Sequence, residues 1–261
     1  DKIATRMYLY FIRHAQSVNN DLYTRTRSSI GREADPTLTE LGHRQAQALA
    51  QYLASGESDR QRKTQLVGEY AARHDRPGIV LTHLYCSLMT RAVQTGSYVA
   101  EATGLTLTAW PEIHERGGLH LVDEATGEDR GIPGPGRGHF ERDYPHVILP
   151  EEFGVTGWWD RAIETIDESQ MRAKLVWEQL LARHGDTDDR VAIISHGGFF
   201  QSLIRSILAP FRDWPILDQE QDYPWFGVSN VSISRFEVED GEVVVRYLNR
   251  VDFLPDELIS G

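Results

Sequence analysis

The chain has 261 residues, 40% apolar and 25% charged, with 27 basic against 39 acidic side chains and a net charge of −12. That composition belongs to an ordinary globular protein, long enough for one large domain or two modest ones. The acidic balance disfavours nucleic acid and anionic membranes as partners unless a local basic patch exists. The densest basic run, "RQRK" at 60–63, reads as a solvated helix end or loop. A single cysteine, Cys86, excludes an internal disulfide framework and any cysteine-based zinc site.

No stretch approaches the roughly 20 apolar residues of a membrane span. The segment "MYLYFI" at 7–12 is too short for a secretory leader and runs into polar residues. The cytoplasm is the expected location, with Met7 a candidate natural start.

In chain order, "RMYLYFI" at 6–12 reads as a buried strand, rich in β-branched and aromatic residues and free of Gly and Pro. "DPTLTELGHRQAQALAQYLA" at 35–54 has helical apolar spacing at Leu41, Ala46, Leu49, Ala50 and Leu53, with Thr39 as N-cap. Residues 55–78 are polar and charged and form an insertion. "GIVLTHLYCS" at 78–87 reads as a second buried strand. A helix through "SLMTRAVQTGSYVAEATG" follows, closed by Gly104, and then a strand "LTLTAW".

From Arg116 to about residue 157 the regular patterns fail. The stretch "GEDRGIPGPGRGHFERDYPHVILPEEFG" is rich in Gly and Pro and reads as an irregular inserted cap over 116–157 rather than as helix or strand. A long amphipathic helix is expected over about 158–184, its opening Trp158-Trp159 pair packing in the core. "RVAIIS" is a buried strand, "GFFQSLIRSILA" a helix, and "NVSISRFEVEDGEVVVRYLN" a hairpin with an Asp-Gly turn. Strands that alternate with helices predict one α/β domain over 1–261. The architecture is a three-layer α/β/α sandwich around a mainly parallel sheet.

Open α/β sheets bind ligands beyond the carboxyl ends of their strands. Three predicted strands end in suggestive residues: Arg13 and His14 with the first, Ser87 and Arg91 with the second, Ser195 and His196 with "RVAIIS". "PEIHERGG" adds Glu112, His114, Glu115 and Arg116. A lone histidine at a strand end is more often structural than catalytic. Two guanidiniums and two imidazoles that converge on one loop layer are different, because they repel one another unless an anion sits among them. A phosphoryl group is such an anion, and arginine binds it with a planar, bidentate fork.

The segments "RHAQSVNN", "DPTLTELGHRQAQALA", "CSLMTRAVQT", "PEIHERGG" and "ISHGG" resemble, in order, the motifs of the histidine phosphatase superfamily, also called the phosphoglycerate mutase-like family. The resemblance spans residues 8 to 205. It implies a phosphomonoester hydrolase of the histidine acid phosphatase type that works without metal or cofactor on a small-molecule phosphate ester. His14 is then the nucleophile and forms a phosphohistidine. Arg13, Arg91 and His196 clamp the phosphoryl oxygens, and Glu115 is the general acid and then the base. Asn20, Ser17, Arg116 and Gly197 complete the substrate-binding set. Glu115 is preferred to Glu112 because the family pattern has an apolar residue two positions before the acid, here Ile113. A neutral His14 needs a hydrogen bond that sets its tautomer, and a backbone carbonyl near Ala15 to Ser17 is a candidate. Charge neutralisation by the arginines and a protonated His196 suits phosphoryl transfer.

Ala15 departs from the family's usual glycine after the nucleophile and is tolerable if its φ is negative. "SHGGFF" departs from the mutase pattern, which favours hydrolysis, whereas Arg116 matches the mutase Glu-Arg pair. Mutase-type transfer and a non-catalytic phospholigand-binding domain are the alternatives. Arg130, Arg137, His139 and Arg142 of the cap either contact a second anionic group or face solvent. His43, His74, His83, His120, His146 and His184 show no metal-ligand spacing such as His-Glu-x-x-His. The oligomeric state is open, with a homodimer among the options.

Overall fold

The computed structural model describes residues 5–55, 74–75, 78–122, 126–152, 157–209 and 224–261. The predicted insertion at 55–78 and its basic run at 60–63 lie almost wholly outside the described residues. Elements run in the order β1 (Arg6–Arg13), α1 (Val18–Thr26), α2 (40–55), β2 (His83–Cys86), α3 (Thr90–Thr103) and β3 (Leu107–Ala109). Next come a 3₁₀ turn (Pro111–Ile113), β4 (His120–Val122), β5 (Asp129–Gly131), α4 (Arg137–Asp143), β6 (Val147–Ile148) and α5 (Ile166–His184). β7 (Arg190–Ser195), α6 (Gly197–Leu208), β8 (Ile233–Glu239) and β9 (Glu242–Arg250) complete the chain.

Seven strands form one sheet in the order β6-β3-β2-β7-β1-β8-β9, parallel through β1 and antiparallel over β8 and β9. Alternation along the central strands explains how both faces are covered. In β1, Tyr10 and Ile12 face a core shared with α2 and α3. Leu9 and Phe11 face a second core built with Val176 and Leu180 of α5 and Phe200 and Leu203 of α6. β7 divides the same way, Ala192 and Ile194 on one side, Val191 and Ile193 on the other. Each large apolar side chain buried in this way contributes about 1.5–3 kcal/mol. The expected α/β/α layering and mainly parallel sheet are therefore observed.

Local signals also hold. Thr39 caps α2 by accepting from the Gly42 amide at 3.0 Å, and Gly104 ends α3 at φ +72°. Asp240 and Gly241 form the β8–β9 turn, both at positive φ.

Three expectations fail. The segment 116–157 is not wholly irregular: β4 and β5 pair as a ribbon, α4 buries Phe140 in the core, and β6 joins the main sheet beside β3. Its elements are only two to seven residues long, too short to show a period. The helix expected from 158 begins at Ile166, where Thr165 and Glu168 form a reciprocal capping box. Trp159 instead packs with Met89 and Leu119 as an apolar plug ahead of it. Finally, the strand expected over 78–87 narrows to His83–Cys86.

Candidate active site

The strand register sets the site. Arg13 pairs with Ser195, and Cys86 with Ile194. His14, His196 and Ser87 therefore leave β1, β7 and β2 at one common edge. The His14 amide donates to Ser195 O at 2.9 Å, and the two imidazole centroids are 5.0 Å apart. His14, Arg91 and His196 are 2%, 7% and 0% exposed.

His14 Nδ1 lies 2.7 Å from Ala15 O, an acceptor only, so Nδ1 carries the proton. Its Nε2 keeps a lone pair, which accepts from Arg91 Nε at 3.1 Å. Ala15 itself is buried at negative φ, with its amide donating to Thr95 Oγ1 at 3.1 Å. The missing glycine thus costs the turn nothing. Gly42 is the residue without latitude here, since a Cβ on α2 would run into Gln16 O.

Ser87 Oγ and His196 Nε2 are 2.6 Å apart. With the hydroxyl donating to Nε2, the ring proton sits on Nδ1. That buried Nδ1 and the buried Arg13 Nε have no hydrogen-bond partner among the described residues. Buried donors of this kind call for an acceptor, and a phosphoryl oxygen supplies one. Arg13 Nη1 is tied to Val228 O at 2.5 Å.

Burial, then Arg91 and Arg13, hold the His14 imidazole well below the usual histidine range. Burial, then Arg91 and His14, do the same to His196. Burial beside Arg91 thus disfavours the protonated His196 expected from the sequence. His114 is also pushed down, by burial and then Arg172.

These depressed values set a pH dependence. Below about pH 6.5 the unfolded chain takes up protons that the folded chain refuses, so stability is lost as pH falls through that point. Each of the three imidazoles contributes up to about 1.4 kcal/mol per pH unit. Asp35, pushed up by burial, acts in the opposite sense and offsets part of one slope. Urea midpoints should fall between pH 7 and pH 5.5, and a flat profile would refute the neutral buried imidazoles.

Glu115 Oε1 accepts from the amides of Arg116 (2.8 Å) and Phe199 (2.9 Å). A Cβ at Gly198 would strike this carboxylate, so the second glycine of "SHGG" is what lets α6 start beside it. The segment that carries Glu115 is pinned from below. Ser195 Oγ donates to Ile113 O at 2.7 Å, and Arg172 Nη1 donates to Glu112 O and His114 O. Arg172 is itself held by Glu164 through two bonds of 2.6 Å and stacks 4.8 Å over the Phe199 ring.

A cavity of about 470 Å³ opens onto this edge, lined by Arg13, Asn20, Glu115, Arg116 and Gly197 together with Tyr23, Arg27 and Trp225. His14, Arg91 and His196 are not in its lining and lie buried. Asn20 Oδ1 is taken by Ser17 and Asn230, which leaves its amide nitrogen to offer. Arg116 lies 5.8 Å from the Trp225 ring. Ser17 is not brought to the cavity: its hydroxyl caps α1 in a box with Asn20. A larger hollow, about 670 Å³ beside β3 and β6, contains neither imidazole of this pair.

None of Arg130, Arg137, His139 and Arg142 lines the cavity. Arg137 donates to Pro150 O, and His139 and Arg142 pair with Asp143. Ser87 stands at the strand end where the sequence placed it, whereas Gly198, Arg172 and Asp35 carry no sequence signal that marks them as site residues. Asp35 accepts from the Thr90 amide and hydroxyl at the start of α3, just before Arg91.

The family profile of the histidine phosphatase superfamily (branch 1) matches residues 9–66 and 61–251. The chain belongs to the histidine phosphatase superfamily. Solved structures share this superfamily's fold with the chain. A mycobacterial glucosyl-3-phosphoglycerate phosphatase is 18% identical at a TM-score of 0.53, over 94% of this chain and 100% of that one. A phosphoserine phosphatase variant from Entamoeba histolytica is 16% identical at 0.51, over 95% and 100%. An ecdysone phosphate phosphatase from Bombix mori, in complex with tungstate, is 14% identical at 0.57, over 94% and 95%. No curated protein matches the sequence. Within this superfamily the chain is a phosphatase or mutase enzyme. No helix among the described residues is long and apolar enough to cross a membrane.

Proposed function

We propose that the protein is a phosphatase that hydrolyses a small-molecule phosphomonoester through a phosphohistidine on His14. The observation that carries this reading is the His14 imidazole, neutral, proton on Nδ1, with Nε2 facing Arg91. Three further cation-capable or donor groups converge there: Arg13, His196 and the start of α6.

In the first step His14 Nε2 attacks phosphorus and the ester P–O bond breaks. Glu115, whose Oε1 is filled by two amides, delivers a proton from Oε2 to the departing oxygen. In the second step water attacks the phosphohistidine, its proton goes to Glu115, and His14 leaves as a neutral imidazole. Arg13 and Arg91 balance the phosphoryl charge throughout, and His196 Nδ1–H donates to a phosphoryl oxygen. The leaving group faces Tyr23, Arg27, Arg116 and Trp225 across the cavity mouth.

Arg116 favours one second reading, mutase-type transfer, because it stands beside Glu115 in the cavity. Transfer needs an acceptor alcohol in place of water and yields no free phosphate. A panel of phosphate esters that includes p-nitrophenyl phosphate tests both readings, run with and without excess EDTA. Release of inorganic phosphate that survives the chelator is expected, and acid quench should trap an acid-labile phosphate on His14. Complete loss with EDTA, or no phosphate release from any ester, would count against the hydrolase.

A further inference from the structure

Away from the phosphate pocket, the fold gathers three side chains that no local motif links. His83 opens β2, His184 closes α5, and Asp189 immediately precedes β7. Each offers one ligand atom, and the three atoms lie within 4.8 Å of one another, the one such group among the described residues. The cluster sits at the amino ends of β2 and β7, whereas His14 and His196 leave the carboxyl ends of β1 and β7.

The surroundings already orient the ligands. Tyr85 OH lies 3.2 Å from His184 Nε2, which turns Nδ1 toward Asp189 Oδ2 at 2.8 Å. A fixed partner on the far ring nitrogen is what metal-binding histidines commonly have. Asp189 is steadied by its own amide donating to Thr187 Oγ1, which in turn donates to His184 O. His83 Nδ1 stands 3.7 Å from Asp189 Oδ1, and the two imidazole centroids are 4.7 Å apart. The His83 side chain is 40% exposed and that of Asp189 24%, so an ion has a way in and water can complete its shell.

We propose that His83, His184 and Asp189 form a binding site for a divalent transition cation of the zinc kind, which ties β2, α5 and β7 together. Two imidazoles and a carboxylate suit such an ion better than magnesium or calcium. Metal at Nδ1 takes the neutral His184 tautomer whose single ring proton sits on Nε2 and is donated to Tyr85 Oη. The site serves stability, and hydrolysis proceeds without it.

The test uses the full chain freed of metal by chelator and titrated calorimetrically with zinc chloride, alongside thermal unfolding. One zinc per chain is expected, with a melting point raised by roughly 5 °C at a hundredfold excess over Kd. His83→Ala and Asp189→Asn should each weaken binding at least tenfold and leave phosphatase kcat/KM unchanged. His83 is partly exposed, so its variant is expected to fold, which circular dichroism checks. Equal zinc binding by wild type and both variants, or no stoichiometric binding, would overturn the site. So would zinc that binds His83→Ala undiminished and inhibits hydrolysis, because the ion would then occupy the phosphate pocket.

Discussion

His14→Ala should lower phosphomonoester hydrolysis on the order of 10⁴-fold or more and abolish the acid-labile phosphoenzyme. The variant removes the only atom proposed to bond phosphorus, and the clamp that remains can bind the ester but has no nucleophile to offer it. The loss should fall on kcat. Arg13, His196 and the start of α6 remain, so inorganic phosphate should still raise the melting point of the variant. The exchange also frees Arg91 Nε of its acceptor, His14 Nε2, which favours anion binding over the wild type. Retention of more than a tenth of the wild-type rate would exclude His14 as nucleophile. A wild type and variant equally inactive on every ester would leave a phospholigand-binding domain.

The second large effect is expected at Arg172, a positioning residue that touches no substrate. Its guanidinium is buried and spans Glu164, the Glu112 and His114 carbonyls and the Phe199 ring. Through these contacts it sets both the segment that carries Glu115 and the amide of Phe199 that holds the carboxylate. Arg172→Met strands the buried Glu164 carboxylate, which costs about 3–5 kcal/mol of stability. Adding Glu164→Leu removes the stranded charge and should restore most of the melting point. It should not restore kcat, expected to stay roughly 10²-fold down with a smaller change in KM, because a displaced acid slows proton delivery more than binding. Recovery of kcat together with stability would make the pair merely structural.

Legibility differed between the two halves of the site. Arg13, His14 and His196 stand at the carboxyl ends of apolar strands and Arg91 in the first turn of the helix that follows one, and the buried-strand pattern marks where a parallel sheet presents its loops. Ser17 shows the limit of the same reasoning: a hydroxyl three residues past the nucleophile reads as a ligand, yet it belongs to a capping box with Asn20. The box at Thr165 and Glu168 was equally present in the sequence, but the tryptophans at 158 and 159 extended the apolar pattern past it. Arg172 was unreadable for another reason. On an amphipathic helix an arginine is ordinarily solvated, and the 112–114 segment, Glu164 and the Phe199 ring together bury this one.

Sequence alone determined the alternation of strands and helices, the two-sided burial of β1 and β7, and the identity of the groups at their carboxyl ends. Those follow from hydrophobic period and residue chemistry, which act over a few neighbours. Tertiary structure decided the rest. It set the tautomer of His14 through Ala15 O and the neutrality of His196 through burial beside Arg91. It also joined β6 to the sheet and brought His83 to His184 and Asp189. Each of these depends on desolvation or on contacts between distant segments, and neither exists until the chain has closed around them.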